Sequence, residues 1–283
     1  MSTPGTEGTE AAGWWRTSLI RIAPGEIDLR GYPIEELIGH ATFPETIWLL
    51  VRGEFPSRAE AALLEAALVA SVDHGPQAPS IAAARMAVTC GVGMNNAVAT
   101  GVNLLGDVHG GAGRQCMEML AALGEREAAG EPLADAARDL VRTARLERSH
   151  LPGFGHRFHP RDPRRDPLLA AVATAVDDGV VSGRFLRAAT AVEHELSQAA
   201  RPIPMNIDGA TAVVYSELGF SPELGRGLFV LSRSVGILAH AWEERQSGSR
   251  IKGPLPKSML APYDGPERRA LPDGAGPDRG GRT

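Results

Sequence analysis

The sequence predicts a mostly α-helical protein, on three observations. Apolar residues recur at three- and four-residue spacing along most of the chain. Helix-start signals stand ahead of several of these stretches. The strand-like alternation is short and lies near the N-terminus: SLIRIAPGEIDLRGY, Ser18 to Tyr32, turns back at Pro24-Gly25 as a hairpin. Beyond it helices are expected near 33–40 and 44–53. FPSRAEAALLEAALVASVDHG then carries a capping box, Ser57 with Glu60, before apolar residues at helical period. Further helices are expected near 80–90, 94–105, 113–129, 132–148, 167–178, 183–199, 207–218 and 222–246. Asp166-Pro167 and Ser221-Pro222 each place a proline just inside a cap. Residues 1–17 read as a loose tail anchored by Trp14 and Trp15, and the polar, glycine-rich stretch 265–283 reads as disordered.

Composition narrows the class. A chain of 283 residues with 43% hydrophobic content can bury a substantial core, in one large domain or two intimate ones. No apolar run approaches the length of a bilayer span. The opening MSTPGTEGTEAAG lacks the basic and apolar regions of a secretory signal. Cys90 and Cys116 cannot build a disulfide framework and lack metal-ligand spacing. A cytoplasmic enzyme or binding protein is expected, without a membrane partner. The net charge of −5 argues against nucleic acid as a partner. All but two of the 29 basic residues, Lys252 and Lys257, are arginines.

Four stretches stand out chemically, each with two readings. In GDVHGGAGRQCMEML, residues 106 to 120, His109 is flanked by Gly110, Gly111 and Gly113. Either the glycines clear space beside an imidazole, or they form a turn before a helix. LPGFGHRFHPRDPRRDP, 151 to 167, cannot be helical and brings His156 together with Arg161, Arg164 and Arg165. Such a group suits carboxylates or phosphates, and equally a solvated basic loop. A metal site on His150, His156 and His159 is disfavoured, because no cysteine pair or helical His spacing with a carboxylate accompanies it. In MNIDGATAVVYSELGF, 205 to 220, Asp208 is either a reactive carboxylate or a cap in the first turn of an apolar helix. His74, in VASVDHGPQAPS, ends a helix, where an imidazole also compensates the helix dipole.

Together, GDVHGGAG, GFGHRFHPRDPR and NIDGATAVVYSELG resemble, in order and spacing, the citrate synthase superfamily. LIRIAPGEIDLRGYPIEEL and LSRSVGILAHAWEE extend the similarity from about Ser18 to Tyr263. DHGPQAPS and the short chain look more like its citryl-CoA lyase branch, which includes the lyase module of ATP-citrate lyase. The resemblance implies a citrate synthase-like two-domain helical fold: a large domain from 18–112 and 220–264, and a small one at 113–219. It implies a homodimer or a multiple of dimers, binding acetyl-CoA or citryl-CoA and a small di- or tricarboxylic acid. It gives a catalytic set of His109, His156 and Asp208, with His74, Arg164 and Arg233 holding the acid. Gly153, Phe154 and Gly155 would face the CoA adenine. No metal or permanently bound cofactor is implied, the CoA thioester being substrate.

In that chemistry Asp208 exchanges the methyl proton, His109 hydrogen-bonds the enolate, and His156 serves the ketone, accepting the hydroxyl proton in the cleavage direction. The glycines around His109 would let the thioester approach. The family's cross-subunit arginine is replaced, by Lys252 before Gly253-Pro254 or by Leu255 before Pro256, and the loop after His156 is slightly short; Lys252 is then expected to touch a substrate carboxylate in the partner chain's cleft. The expected activity is citryl-CoA cleavage to acetyl-CoA and oxaloacetate. The alternatives are a citrate synthase-like acyltransferase, condensing acetyl-CoA with oxaloacetate or another 2-oxo acid, and a non-catalytic CoA-binding regulatory protein.

Overall fold

The computed structural model describes residues 13–198, 202–253, 257–259 and 261–272. Its secondary structure is mostly helical, with one small antiparallel sheet near the N-terminus. β1 (Ile20–Ala23) and β2 (Glu26–Leu29) form the expected hairpin, with Ile22 opposite Ile27, and β3 (Tyr32–Pro33) adds a short third strand. The helices are α1 (Ile34–Leu37), α2 (Phe43–Arg52), α3 (Arg58–Ser71), α4 (Pro79–Thr89), α5 (Met94–Asn103) and α6 (Ala112–Ala128). They continue with α7 (Leu133–Glu147), α8 (Arg165–Asp177), α9 (Arg184–Ser197), α10 (Ile207–Glu217) and α11 (Pro222–Gln246).

The starts follow from local chemistry. Ser57 and Glu60 close the expected capping box on α3, and Thr42 with Glu45 closes another on α2. Ser221 caps α11 through Leu224 N–H, with Pro222 just inside. Asp166 does not cap α8. The helix starts two residues earlier, behind Arg164, and Asp166 pairs with Arg161 and Arg165 instead.

Apolar burial divides into two clusters. The larger joins Ile47 and Trp48 of α2, Leu63 and Leu64 of α3, and the inner faces of α6 to α10. The smaller joins α4 and α5 to the later part of α11, around Ile81, Ala84, Ala97, Ile237 and Ala241. α11 thus starts against the first and ends against the second, and the polar residues considered next converge on its middle.

Two expectations at the termini are revised or left aside. Trp14 and Trp15 do not anchor the N-terminal segment, since both rings are more than 80% exposed. Residues 1–12 and 273–283 lie outside the described residues, as do Leu255 and Pro256. Residues 261–272 contain no helix or strand.

Candidate active site

His109 sits in a turn closed by Gly106 N–H donating to the His109 carbonyl at 2.8 Å. Gly110 holds a φ of 96°, and a side chain there would strike Phe229 and Leu105. A side chain on Gly111 would collide with the Asp107 carbonyl. The chain's own tight turn thus calls for these two glycines, whereas a side chain on Gly113 would meet only the Asp208 carbonyl, at 3.8 Å. The imidazole rests on the start of α4. Its Nε2 accepts the Ser80 N–H at 3.3 Å and lies 2.9 Å from the Ser80 hydroxyl. With Nε2 accepting, the neutral ring carries its proton on Nδ1. Burial, and then the Arg233 charge, push His109 below the ordinary histidine range, so this neutral form prevails.

His156 and Asp208 are brought together by backbone pairing between two loops. Gly155 N–H donates to Pro204 O at 2.7 Å, and Asn206 N–H to Gly153 O at 2.9 Å; Phe154 bridges Met205. The Asn206 amide adds a 2.6 Å bond to Gly155 O. Gly153 must be glycine for this approach: its φ is 85°, and a Cβ would lie 2.7 Å from Cys116 Sγ and 2.8 Å from Gly209 Cα. Buried Cys116 therefore forms part of the packing under the site.

The Nδ1 atom of His156 accepts two backbone N–H groups, from Phe158 and His159, each at 3.0 Å. A nitrogen committed to two donors cannot also hold a proton, so the proton sits on Nε2. Burial, with His159 and Arg164 nearby, holds this ring below the ordinary range despite the opposing pull of Asp162 and Asp208. Both imidazoles are thus neutral donors, through Nδ1 of His109 and Nε2 of His156.

Asp208 is not the helix cap. Asn206 is: its side-chain oxygen accepts Asp208 N–H at 2.9 Å and Gly209 N–H at 3.2 Å. The Asp208 carboxyl is left free at the bottom of the cleft, reached by solvent yet surrounded by protein. Burial raises its pKa, outweighing the cations Arg233 and Arg164. A carboxyl shifted upward in this way is suited to hold and release a proton, as donor as well as base.

The cations differ in how they are held. Asp162, almost fully buried, takes Arg164 Nε at 2.9 Å and Nη2 at 2.8 Å, and its oxygens also accept Arg164 N–H and Ile207 N–H. Although burial opposes ionisation, these bonds hold Asp162 down to about 2. Arg233, 5% exposed, donates from Nε to Ser71 O at 3.0 Å and lies over the Phe229 ring at 4.9 Å. No carboxylate pairs with it among the described residues. His74, on the cleft wall, has its ring 6.4 Å from that of His156. Burial and the charges of Arg233 and Arg164, with smaller contributions from His156 and His109, push His74 down to about 4. Six of the expected residues thus share one cleft: His74, His109, His156, Arg164, Asp208 and Arg233.

Lys252 is placed differently. Its ammonium reaches both Glu244 oxygens, at 2.7 and 2.8 Å, alongside Arg85 on the same carboxylate. Gly155 and Phe154, with His156, line a neighbouring cleft of about 1160 Å³ bordered by Arg157, Arg161 and Arg165. Arg161 and Arg165 are paired with carboxylates, and Arg157 has no such partner among the described residues. These residues contain no cluster of three or more His, Cys, Asp or Glu suited to a metal.

Asn206, Asp162 and Ser80 escaped the sequence reading of the site. Asn two residues before Asp208 is a standard capping signal, and Pro79-Ser80 marks a helix start. Asp162 directly precedes the proline before Arg164 in the DPR triplet, which offered a cue to their pairing.

Comparison with known proteins gives the family. The family model described as citrate synthase, C-terminal domain, matches residues 5–68 and 56–254, and the chain belongs to the citrate synthase family. The solved citryl-CoA lyase of Hydrogenobacter thermophilus superposes with a TM-score of 0.79 at 31% identity, covering 91% of this chain and 97% of that one. ATP citrate lyase of Methanothrix soehngenii, solved with citrate and coenzyme A, gives 0.75 at 19% identity, over 94% of this chain and 45% of its own, and shows the shared fold. Citrate synthase 2 of Bacillus subtilis (strain 168) is 27% identical over 226 residues, 80% of this chain and 56% of the relative. The chain spans about half the length of the curated relatives it matches.

Proposed function

We propose that this protein cleaves citryl-CoA, or a close acyl-CoA analogue, to acetyl-CoA and oxaloacetate. The observation that carries the reading is the combination of two imidazoles fixed as neutral donors with a carboxyl whose burial favours its protonated form. As the carbon–carbon bond breaks, His156 Nε2–H steadies the oxygen that becomes the ketone. His109 Nδ1–H steadies the enolate oxygen of the departing thioester. Asp208 delivers its proton to the enolate carbon, giving the methyl group of acetyl-CoA. Arg164, fixed by Asp162, and the unpaired Arg233 receive the acid's carboxylates. Phe154, Gly155 and Arg157 border the CoA side, with Gly153 packed beneath them. The likeness to a citryl-CoA lyase over nearly that whole chain favours this direction.

The same atoms run backwards in a condensing acyltransferase, and relatives named as synthases support that second reading. A non-catalytic CoA-binding regulator has no use for the fixed donor pair. We assign 113–219 as the small domain and the rest of the folded chain as the large one, with the cleft between them. In the structure α2 and α3 pack into the same cluster as the small-domain helices. A homodimer or multiple of dimers is supported by the exposed apolar stripe of α11: Leu231, Val235, Leu238 and Trp242, spaced along one helix face. No helix of the described residues is long and apolar enough to cross a membrane. A cytoplasmic location agrees with both cysteines being free.

The test is to supply citryl-CoA, quench early, and quantify four products by mass spectrometry. Acetyl-CoA and oxaloacetate should appear first. Early dominance of citrate and free CoA would refute the lyase reading in favour of a synthase.

A further inference from the structure

The turn that carries His109 is weakly tied to itself. Among residues 106 to 110 the backbone makes one hydrogen bond within the turn, Gly106 N–H to the His109 carbonyl, and Val108 at the tip is fully exposed. Yet the proposed chemistry needs His109 Nδ1–H aimed at one oxygen, and a displacement of about 1 Å is enough to lose much of such a donor's effect. Ser80 fixes the Nε2 edge of the ring, not the backbone that carries it. The turn must therefore be located from outside.

Three side chains do this, and one of them spans the turn. Gln115 of α6 donates from its amide to the Asp107 carbonyl at 3.1 Å. The Phe229 ring of α11 stands where a side chain on Gly110 would be. Arg226, three residues earlier on α11, donates from Nη2 to the Leu105 carbonyl at 3.2 Å and from Nη1 to the Asp107 carboxylate. One planar guanidinium thus holds the entry of the turn and the residue two before His109. The Asp107 side chain is 75% exposed, so the pair adds little stability. Arg114, the other cation near Asp107, is engaged by Glu118. We propose that Arg226 is a positioning residue, which holds the His109 turn so that Nδ1–H meets the thioester oxygen, an inference that rests on the function proposed above.

Its place on α11 gives the hold a purpose. Arg226, Phe229, Arg233, Gly236 and His240 follow one another at three- and four-residue spacing and share one helix face. Phe229 lies under the Arg233 guanidinium at 4.9 Å, and Arg233 itself donates to Ser71 O. A Cβ on Gly236 would lie 2.3 Å from the Val72 carbonyl, and His240 Nε2 reaches Asp73 at 3.3 Å. The same face therefore locates the His109 turn at one end and residues 71–73, just before His74, at the other. Arg226 and Arg233 stand about 10 Å apart along the axis. A rigid helix thus sets the spacing between the donor for the thioester oxygen and a cation for a carboxylate of the same substrate. Loss of Arg226 releases only the first, so the substrate still binds while its enolate oxygen meets a misplaced donor.

The experiment measures three quantities: citryl-CoA cleavage, urea melting, and solvent deuterium exchange into the acetyl-CoA methyl group with oxaloacetate replaced by an inert dicarboxylate. Cleavage and exchange both pass through the enolate. Arg226→Met should lower kcat for cleavage and the exchange rate alike, about 10- to 100-fold, with KM within a few-fold of wild type and the melting midpoint unchanged. Arg226→Lys, which keeps the charge but not the fork, should recover part of the loss. Asp107→Ala, a change at an exposed side chain, should lower both rates together. In a His109→Ala background Arg226→Met should alter the residual rates less than twofold, because a residue acting through His109 then has nothing to position. Wild-type rates in folded Arg226→Met, or in Asp107→Ala should the first not fold, would overturn the proposal. So would a further loss of full size in the His109→Ala background, slowed cleavage with wild-type exchange, or a raised KM at constant kcat. A wild-type chain that exchanges but does not cleave citryl-CoA would overturn the proposed function, and the exchange rates alone would then decide the role of Arg226.

Discussion

Two arginines packed on the same helix separate what this protein uses for stability from what it holds for chemistry. Arg85 donates to Glu244 at 2.6 Å and lies 3.4 Å from Glu243, and Lys252 covers the remaining Glu244 oxygen. Every charge there is answered within the chain. Arg233, one face of α11 away, is more deeply buried, and only a carbonyl and an aromatic ring answer it. Burial lowers its pKa, and Asp208 and Asp73 offset this only in part. A buried cation without a partner destabilises a fold. It persists where a ligand's charge completes it, and the adjacent groups are those suited to a carboxylic acid.

The largest expected effect concerns the carboxyl beside that unpaired cation. Asp208→Asn should lower turnover by about two to four orders of magnitude, as for other acid–base groups. Because Asn206 is the cap, the variant should melt like the wild type. Full activity with unchanged melting would return Asp208 to a structural role. Next comes the arginine pair itself. Arg233→Leu should raise KM for the acid about 10- to 100-fold, in line with loss of a charged hydrogen bond, without lowering stability. Arg85→Leu should do the reverse: about 2 kcal/mol less stability, since buried Glu244 then keeps only Lys252, with KM unchanged. Urea melts and steady-state kinetics on both proteins decide it, and similar effects from the two would erase the distinction.

Asp162 tests the seam between the two regimes, since it is buried and paired yet steadies a site residue. Its folded pKa of about 2 lies below the ordinary 3.8, so the unfolded chain binds the extra proton between these values. The sign follows: the stabilisation is present above about pH 5 and is lost as pH falls through 3.8 toward 2. Asp162→Asn should cost about 2 kcal/mol at pH 7 and nearly nothing near pH 2. Equal losses at both pH values would mean the ion pair is not the source. Activity should fall too, because Arg164 loses the fork that orients it.

The fold was largely legible in the sequence, because helical period and capping chemistry are local: the Ser57–Glu60 box and the Ser221-Pro222 start fall where the pattern places them. The six residues that the structure brings into one cleft could be grouped from the sequence as well, but only once the resemblance joined motifs that are separately ambiguous. What stayed hidden depends on hydrogen-bond direction. Nothing in GFGHRFH reveals that Phe158 and His159 turn their N–H groups onto His156, and nothing in DVHGG reveals that His109 leans on Ser80. Lys252 is hidden in the same way: position along the chain suggests a substrate contact from a partner chain, and nothing in the pattern reveals its pairing with Glu244, eight residues earlier on the same helix-to-loop segment.

Lys252 also supplies the smallest and most discriminating effect. Its side chain is 47% exposed, so solvent screens its pairing, while Glu244 is almost wholly covered. Lys252 holds the Glu244 carboxyl below its usual range, with Arg85 contributing from the other side. Removing the ammonium leaves Arg85 in place, so Glu244 does not become a lone buried charge. Lys252→Ala should therefore cost about 1 kcal/mol or less, as partly exposed pairs do. Its backbone N–H, which donates to Thr89 Oγ1 at 2.9 Å, survives the change. KM for the acid should stay within a factor of two. A several-fold rise in that KM with unchanged melting would mean that Lys252 leaves Glu244 in the assembled protein and reaches the substrate. The compensated cluster would then belong to the site, and charge pairing would no longer tell the two regions apart.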